Sequence, residues 1–307
     1  MTPLPLLPGA LDRVGASGAN DTLAIPGGSR LSLEALSLEE KDAGLDRALR
    51  DLPSVIIAYS GGVDSAYLAF AAHRALGSNA VSVTADSPSY PERHRALALR
   101  IAREFGFVHE MIQTAEMDRP EYRANPANRC YYCKHELYTN LTAIARDRGI
   151  PVIADGSNAD DRGDYRPGRQ AAREFGVRSP LDAAGLTKDE IRELSRRAGL
   201  PTWDEPASAC LSSRIPYFSE VTEAKLRMIE RAENALRDLG FRVCRVRHHD
   251  TIARLEIGRN EMARALEPGV ADAIDRELRA IGYAHVTIDL RGYRLGSLNE
   301  ALRLRAL

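Results

Sequence analysis

Short apolar runs alternate with amphipathic stretches over the first two thirds of the chain, and this predicts strands and helices in turn. Val55-Ile56-Ile57-Ala58-Tyr59 is a compact apolar run of the kind shown by a parallel strand buried on both faces. A glycine-rich turn follows it, then a helical stretch over residues 65–76. Residues 80–85 read as a second strand, 91–105 as a helix with Leu99, Ala102 and Phe105 on one face, and 108–114 as a third strand. Residues 134–148 read as a helix stopped by Gly149, and 151–154 as a fourth strand. Ser37 with Glu40 three residues on, and Thr187 with Glu190, are capping-box signatures for helices running to about 51 and 199. This order predicts an α/β fold, a parallel sheet with helices on both faces.

The pattern changes after Pro216. Residues 222–239 form a strongly amphipathic helix, 242–247 and 252–257 two strands, 261–281 helices, and 284–290 a last strand. This is a smaller α+β unit. The expected division is a loose arm over residues 1–35, a first domain over 36–210 and a second over 211–307.

Length agrees with this division, since 307 residues correspond to about two domains at roughly 150 residues each. The 42 basic and 43 acidic residues nearly cancel, which argues against a protein that wraps nucleic acid. No apolar run approaches the ~20 residues that cross a bilayer. No basic residue precedes Arg13, and Pro3, Pro5 and Pro8 break the first apolar stretch, a poor secretory signal. The expected compartment is the cytoplasm. There, Cys130, Cys133, Cys210 and Cys244 point to metal binding or catalysis rather than to structural disulfides.

The strongest chemical signal is Ser60-Gly61-Gly62-Val63-Asp64-Ser65, directly after the first strand and opening a helix. Two glycines let the backbone turn its N–H groups toward an anion, the hydroxyls of Ser60 and Ser65 add donors, and the helix N-terminus adds partial positive charge. Three further stretches stand out. Arg129-Cys130-Tyr131-Tyr132-Cys133-Lys134 places a CxxC just before a predicted helix, which suits a redox pair, part of a zinc site or part of an iron–sulfur site. Around Cys210, Ser and Ala neighbours with Arg214 four residues on suit an activated thiol, or a plain buried cysteine. The run from Asp155 through Gly156, Ser157 and Asn158 to Asp160 and Asp161 follows a strand end, where carboxylates suit Mg²⁺ and where a turn-forming acidic loop is equally natural.

SGGVDS matches the PP-loop of the ATP pyrophosphatase superfamily, which cleaves ATP between its α and β phosphates. That resemblance implies that Asp64 helps to hold Mg²⁺ and that adenine meets the backbone near Thr84 and Ala85. The stretches RCYYCKHELY, ADGSNADDRGDYRPGRQAAREFGVRSPL, PASACLSSRIPY and DLRGYRLGSLNE narrow it. Over residues 38–302 the chain resembles the LarE family of ATP-dependent sulfur transferases. Members adenylate a carboxylate of a pyridinium-3,5-biscarboxylate mononucleotide and replace AMP by sulfur. In the single-cysteine form, the residue matching Cys210 gives up its own sulfur. This chain adds Cys130 and Cys133, and three cysteines suit a [4Fe–4S] cluster with one open iron. The resemblance favours that cluster over the sacrificial cysteine. Arg214, Arg245 and Arg247 are candidates to neutralise carboxylate and phosphate, and Tyr131 and Tyr132 to stack on the pyridinium. A homo-oligomer is expected, with no nucleic-acid or membrane partner. The rivals are a PP-loop tRNA thiolation enzyme, an amide-forming ligase and a non-catalytic nucleotide sensor.

Overall fold

The computed structural model describes residues 36–163, 167–206, 209–294 and 296–300. The arm expected over residues 1–35 lies outside the described residues, as do Asp164, Tyr165, Arg166, Ala207 and Ser208 of the singled-out stretches.

The first part builds around four parallel strands in the order β3-β2-β1-β4, with β1 at Val55–Ala58, β2 at Ala80–Asp86, β3 at Val108–Gln113 and β4 at Ile153–Ala154. Side chains of β1 alternate between two cores, as the period of two requires. Val55 and Ile57 join Leu45 and Leu49 of α1 (Leu38–Arg50), Ala66 and Leu68 of α2 (Val63–Leu76) and Leu97 and Ile101 of α3 (Glu92–Phe105). Ile56 and Ala58 face the other way, onto Tyr138 and Leu141. The α/β reading therefore holds, with helices on both faces of a parallel sheet.

Both predicted capping boxes are present. Ser37 caps α1 with Glu40, and Thr187 caps a helix at Lys188–Arg197 with Glu190. The helix carrying the CxxC begins earlier than expected, at Arg129, and runs to Arg148. Its N-cap Asn128 makes no side-chain cap, so the usual start signal is missing. Between α3 and this helix a short α4 covers Pro120–Arg123, which makes the Arg129–Arg148 helix α5. Then come α6 (Pro167–Glu174), α7 (Pro180–Ala183) and α8 (Lys188–Arg197).

The last part has a second sheet of β5 (Cys244–His249), β6 (Ile252–Ile257) and β7 (His285–Ile288), with β5/β6 antiparallel and β6/β7 parallel. It packs on α9 (Glu223–Asp238) and on α11 (Pro268–Ile281), which follows a short α10 (Met262–Ala265). β5 lies two residues later than expected. The strand therefore includes His248 and His249, and His248 Nδ1 lies 3.0 Å from the Tyr283 hydroxyl.

Candidate active site

β1 lies between β2 and β4, so the chain's connections leave it in opposite directions and open a crevice at the strands' C-terminal ends. The Ser60–Ser65 turn follows β1 and the Asp155–Asn158 loop follows β4, so the two loops meet there. Gly61 has φ +69°, and a Cβ on it would stand 2.9 Å from Ala98 Cβ. A Cβ on Gly156 would stand 2.8 Å from Ser65 N. Both positions therefore need glycine, one for its backbone conformation and both for close approach. The hydroxyls of Ser60 and Ser65 lie 3.1 Å apart, and Ser65 Oγ donates to Gly62 O at 3.1 Å. Gly62 caps α2 without a side chain, which leaves the helix's leading N–H groups facing the turn.

Asp64 is held from two sides. Lys188 Nζ donates to its Oδ2, and Asn158 Nδ2 donates to Oδ1 at 3.3 Å. Lys188, which no sequence signal singles out, is the first residue of α8, directly after the Thr187 cap. Its backbone N–H donates to Asp160 Oδ2 at 2.8 Å, so the Asp160 carboxylate fixes the start of α8. Asp155 is similarly engaged, accepting from Tyr138, Ser157 and Ser179. Thr84 is buried at the end of β2, where its hydroxyl donates to Tyr59 O at 2.7 Å and lies 2.8 Å from His109 Nε2; Ala85 beside it is half-buried.

From β2 the chain passes Ser87 and Ser89, and Leu211 N donates to Ser89 O at 2.9 Å. This contact brings the Cys210 loop to the same edge of the sheet. The loop is clamped by three buried arginines from three elements. Arg214 Nη1 donates to Ala209 O at 2.7 Å and to Cys210 O at 3.0 Å. Arg129 Nη1 donates to Ser212 O at 3.0 Å, and Arg247 Nη1 to Ser213 O at 2.6 Å. Segment 122–129 is tied to the same loop by the Tyr122 and Ser212 hydroxyls, 2.7 Å apart, and by Asn125 Nδ2, which donates to Pro216 O at 2.7 Å.

From sequence, Arg214 is expected beside Cys210 as its activator and Arg247 on the ligand. The structure places both in buried ion pairs behind the Cys210 loop. Arg214 forks onto Glu233, with Nε donating to Oε1 at 2.8 Å, in a pair 1% and 2% exposed. Arg247 forks onto fully buried Glu256 at 3.0 and 2.8 Å. Burial raises the Glu233 carboxyl pKa, but Arg214 overrides it and holds the group down at about 2. Glu256 also accepts from Ser297, so its carboxylate is fully buried and hydrogen-bonded.

Cys130 sits exposed in the first turn of α5. Cys133, one turn on, packs against the apolar group of Tyr122, Leu211 and Ile215, a partly core position that its polar neighbours in sequence conceal. Burial is the main cause pushing up the Cys133 thiol, followed by Glu116 and by the Cys210 and Cys130 sulfurs. Cys130 is pushed up by the protein around it and by Cys210, against the pull of Arg129. The three thiols therefore share one electrostatic environment. Among the described residues, no three Cys, His, Asp or Glu side chains already stand in ion-holding geometry. The donor chemistry nevertheless suits a thiophilic centre, with three sulfurs on two stapled segments beside a buried cation. Tyr131 lies at the rim, its hydroxyl donating to Glu174 Oε2 at 2.8 Å and its ring edge-on to Tyr132. Cys244 is a core thiol of the second sheet.

No family model matches the chain. An uncharacterized protein of Synechocystis sp. is 44% identical over 265 residues, covering 86% of this chain and 99% of that protein. The pyridinium-3,5-bisthiocarboxylic acid mononucleotide synthase of Lactiplantibacillus plantarum is 35% identical over 267 residues, 87% of this chain and 96% of that protein. The chain belongs to this synthase family, LarE. One component of the glutamine-hydrolyzing GMP synthase of Methanopyrus kandleri is 29% identical over 219 residues, 64% of this chain and 66% of that protein, and ties the LarE fold to the wider PP-loop group. In this LarE member no helix among the described residues is long and apolar enough to cross a membrane. A groove of about 550 Å³ between α1, α2 and α8 lies apart from the site, and its arginines are paired with its own carboxylates, as Arg197 is with Glu39.

Proposed function

We propose that this protein is an ATP-dependent sulfurtransferase acting on a pyridinium-3,5-biscarboxylate mononucleotide. The observation that carries the reading is the Ser89–Leu211 backbone bond, which sets the Cys210 loop on the strand edge that bears the anion-binding turn. Activation and sulfur delivery can then share one acyl group.

The substrate carboxylate attacks the α-phosphorus of ATP, the α–β P–O bond breaks, and pyrophosphate leaves into the Ser60–Ser65 turn. Ser60, Gly61, Gly62 and Ser65 supply its donors, and Asp64, which Lys188 holds in the free protein, would be the carboxylate that holds the Mg²⁺ accompanying ATP. Thr84 and Ala85 border the adenine, with Asp160 holding the loop that carries Asn158. Sulfide then attacks the acyl carbon, the C–O bond breaks, and AMP leaves with the electron pair. Tyr131 borders the pyridinium ring. Cys130, Cys133 and Cys210 are the ligands proposed for a [4Fe–4S] cluster. When bound, the cluster supplies an iron without a protein ligand on which sulfide can be carried. Arg214 and Arg247 act by holding the Cys210 loop.

The test is iron and acid-labile sulfide in protein purified without oxygen, together with substrate-dependent pyrophosphate release. About four iron per chain are expected, lost in Cys130→Ala while ATP binding persists. Asp64→Asn should slow Mg²⁺-dependent pyrophosphate release. Iron-free protein that still transfers one sulfur and leaves residue 210 lighter by H₂S would replace the cluster with a sacrificial Cys210. Absence of substrate-dependent pyrophosphate release would overturn the reading as a whole.

A further inference from the structure

Three buried arginines clamp the Cys210 loop, and their charges are treated differently. Arg214 has Glu233 and Arg247 has Glu256. Arg129 is 3% exposed, and its hydrogen-bond partners are the Asn125 Oδ1 and the Ser212 carbonyl at 3.0 Å, both formally neutral. Among the described residues no carboxylate lies within ion-pair distance of it. An isolated buried charge costs several kcal/mol and persists where something compensates it. The groups around Arg129 able to become anionic are Cys210, Cys130, Tyr122 and Tyr217. The Tyr122 hydroxyl is engaged with Ser212 and burial disfavours its phenolate, and of the four only the two sulfurs are thiophilic-metal ligands.

We propose that Arg129 is the counter-cation of the three-cysteine centre, its buried charge matched by the anion that forms when Cys130, Cys133 and Cys210 bind a thiophilic metal group. Three thiolates around a dipositive core leave one net negative charge, and Arg129 carries one positive charge. The same balance holds for a [4Fe–4S] core in its dipositive state and for a single Cd²⁺. Arg129 Nη1 also donates to Asn125 Oδ1 and to the Ser212 carbonyl, which ties the Cys210 loop to the chain just before Cys130 and keeps the cation beside the ligands. Arg129 is thus a positioning residue that acts through the sulfur ligands. The inference deepens the proposed function and rests on its three-cysteine site, but not on the metal being iron.

The test is Cd²⁺ titration of the reduced full-length protein, read by thiolate-to-cadmium charge-transfer absorbance, in wild type, Arg129→Gln and Arg129→Lys. Thermal stabilisation by MgATP reports that each variant is folded. Removing the charge should weaken Cd²⁺ binding by about tenfold or more, the scale on which groups outside the ligand set tune metal affinity. Lysine should restore most of the loss. Wild-type affinity in Arg129→Gln overturns the proposal. If that variant does not fold, Arg129→Lys decides: near-wild-type affinity supports the charge role, and a loss beyond tenfold overturns it. Wild type that binds Cd²⁺ through three thiols but takes up no iron leaves Arg129 its role and removes the cluster. Wild type that binds neither overturns both.

Discussion

The Ser60–Ser65 turn and the proposed three-cysteine site lie on the same edge of one sheet and are built in opposite ways. The turn uses six consecutive residues, and its anion-binding groups are backbone N–H donors at the start of α2. Its shape depends on two absent side chains, at Gly61 and Gly156. The proposed cysteine site draws on residues more than seventy positions apart in sequence, Cys130 and Cys133 on α5 and Cys210 in its loop. It is held by side chains: Asn125, Tyr122 and three buried guanidinium groups that grip neighbouring carbonyl oxygens. A site made of backbone tolerates changes in side chains but not an added methyl. A site made of buried charges tolerates added atoms better than a missing partner.

The contrast breaks if damage to one half spreads to the other. The largest effect is expected from Cys210→Ala, which should abolish sulfur transfer while substrate-dependent pyrophosphate release continues. Parallel loss of both in single-turnover assays would mean that the halves are not separable. Next is Gly156→Ala. Its Cβ would meet Ser65 N at 2.8 Å, and overpacking strain of about 1–3 kcal/mol corresponds to roughly 5- to 150-fold weaker MgATP binding. Calorimetric titration with a non-hydrolysable analogue measures this, and thiol-metal uptake should be unchanged. Arg214→Met leaves Glu233 buried without its main partner and should cost about 3–5 kcal/mol of stability, read from denaturant unfolding.

The smallest effect concerns His94. Burial, then Arg214, Arg237 and Arg245, lower its pKa from 6.5 to about 4. The unfolded chain therefore binds a proton between those values that the folded chain refuses. Stability from this group is intact above about pH 6.5, falls as the pH drops toward 4, and changes no further below that. His94→Gln should flatten urea midpoints over that window. An unchanged slope would show that other groups set it.

Much of the first half is legible in the sequence because its signals are local. The two capping boxes, the apolar run of β1 and the glycine turn each act within a few residues, and each is present where expected. The start of α5 escapes such reading because Asn128 offers no side-chain cap, and with it the fact that Cys130 and Cys133 lie on one helix. Arg214 has a partner that the sequence conceals: it lies beside Cys210 as its position suggests, holding the Cys210 carbonyl, and it also meets Glu233, nineteen residues away on α9. Lys188 carries no signal of its own, since a lysine after a helix cap is ordinary, and it reaches Asp64 across 124 positions.

The order of residues alone is enough for the succession of strands and helices, the parallel sheet and the glycine turn suited to an anion, because each depends on short-range periodicity or on backbone freedom at glycine. The choice of Cys130, Cys133 and Cys210 as candidate sulfur ligands comes only with the family resemblance. Which cation faces which anion is a property of the folded chain. Arg214 and Arg247 are matched to carboxylates, Lys188 to Asp64, and Arg129 to none among the described residues. Ion pairing depends on distance and burial in space, and separation along the chain fixes neither.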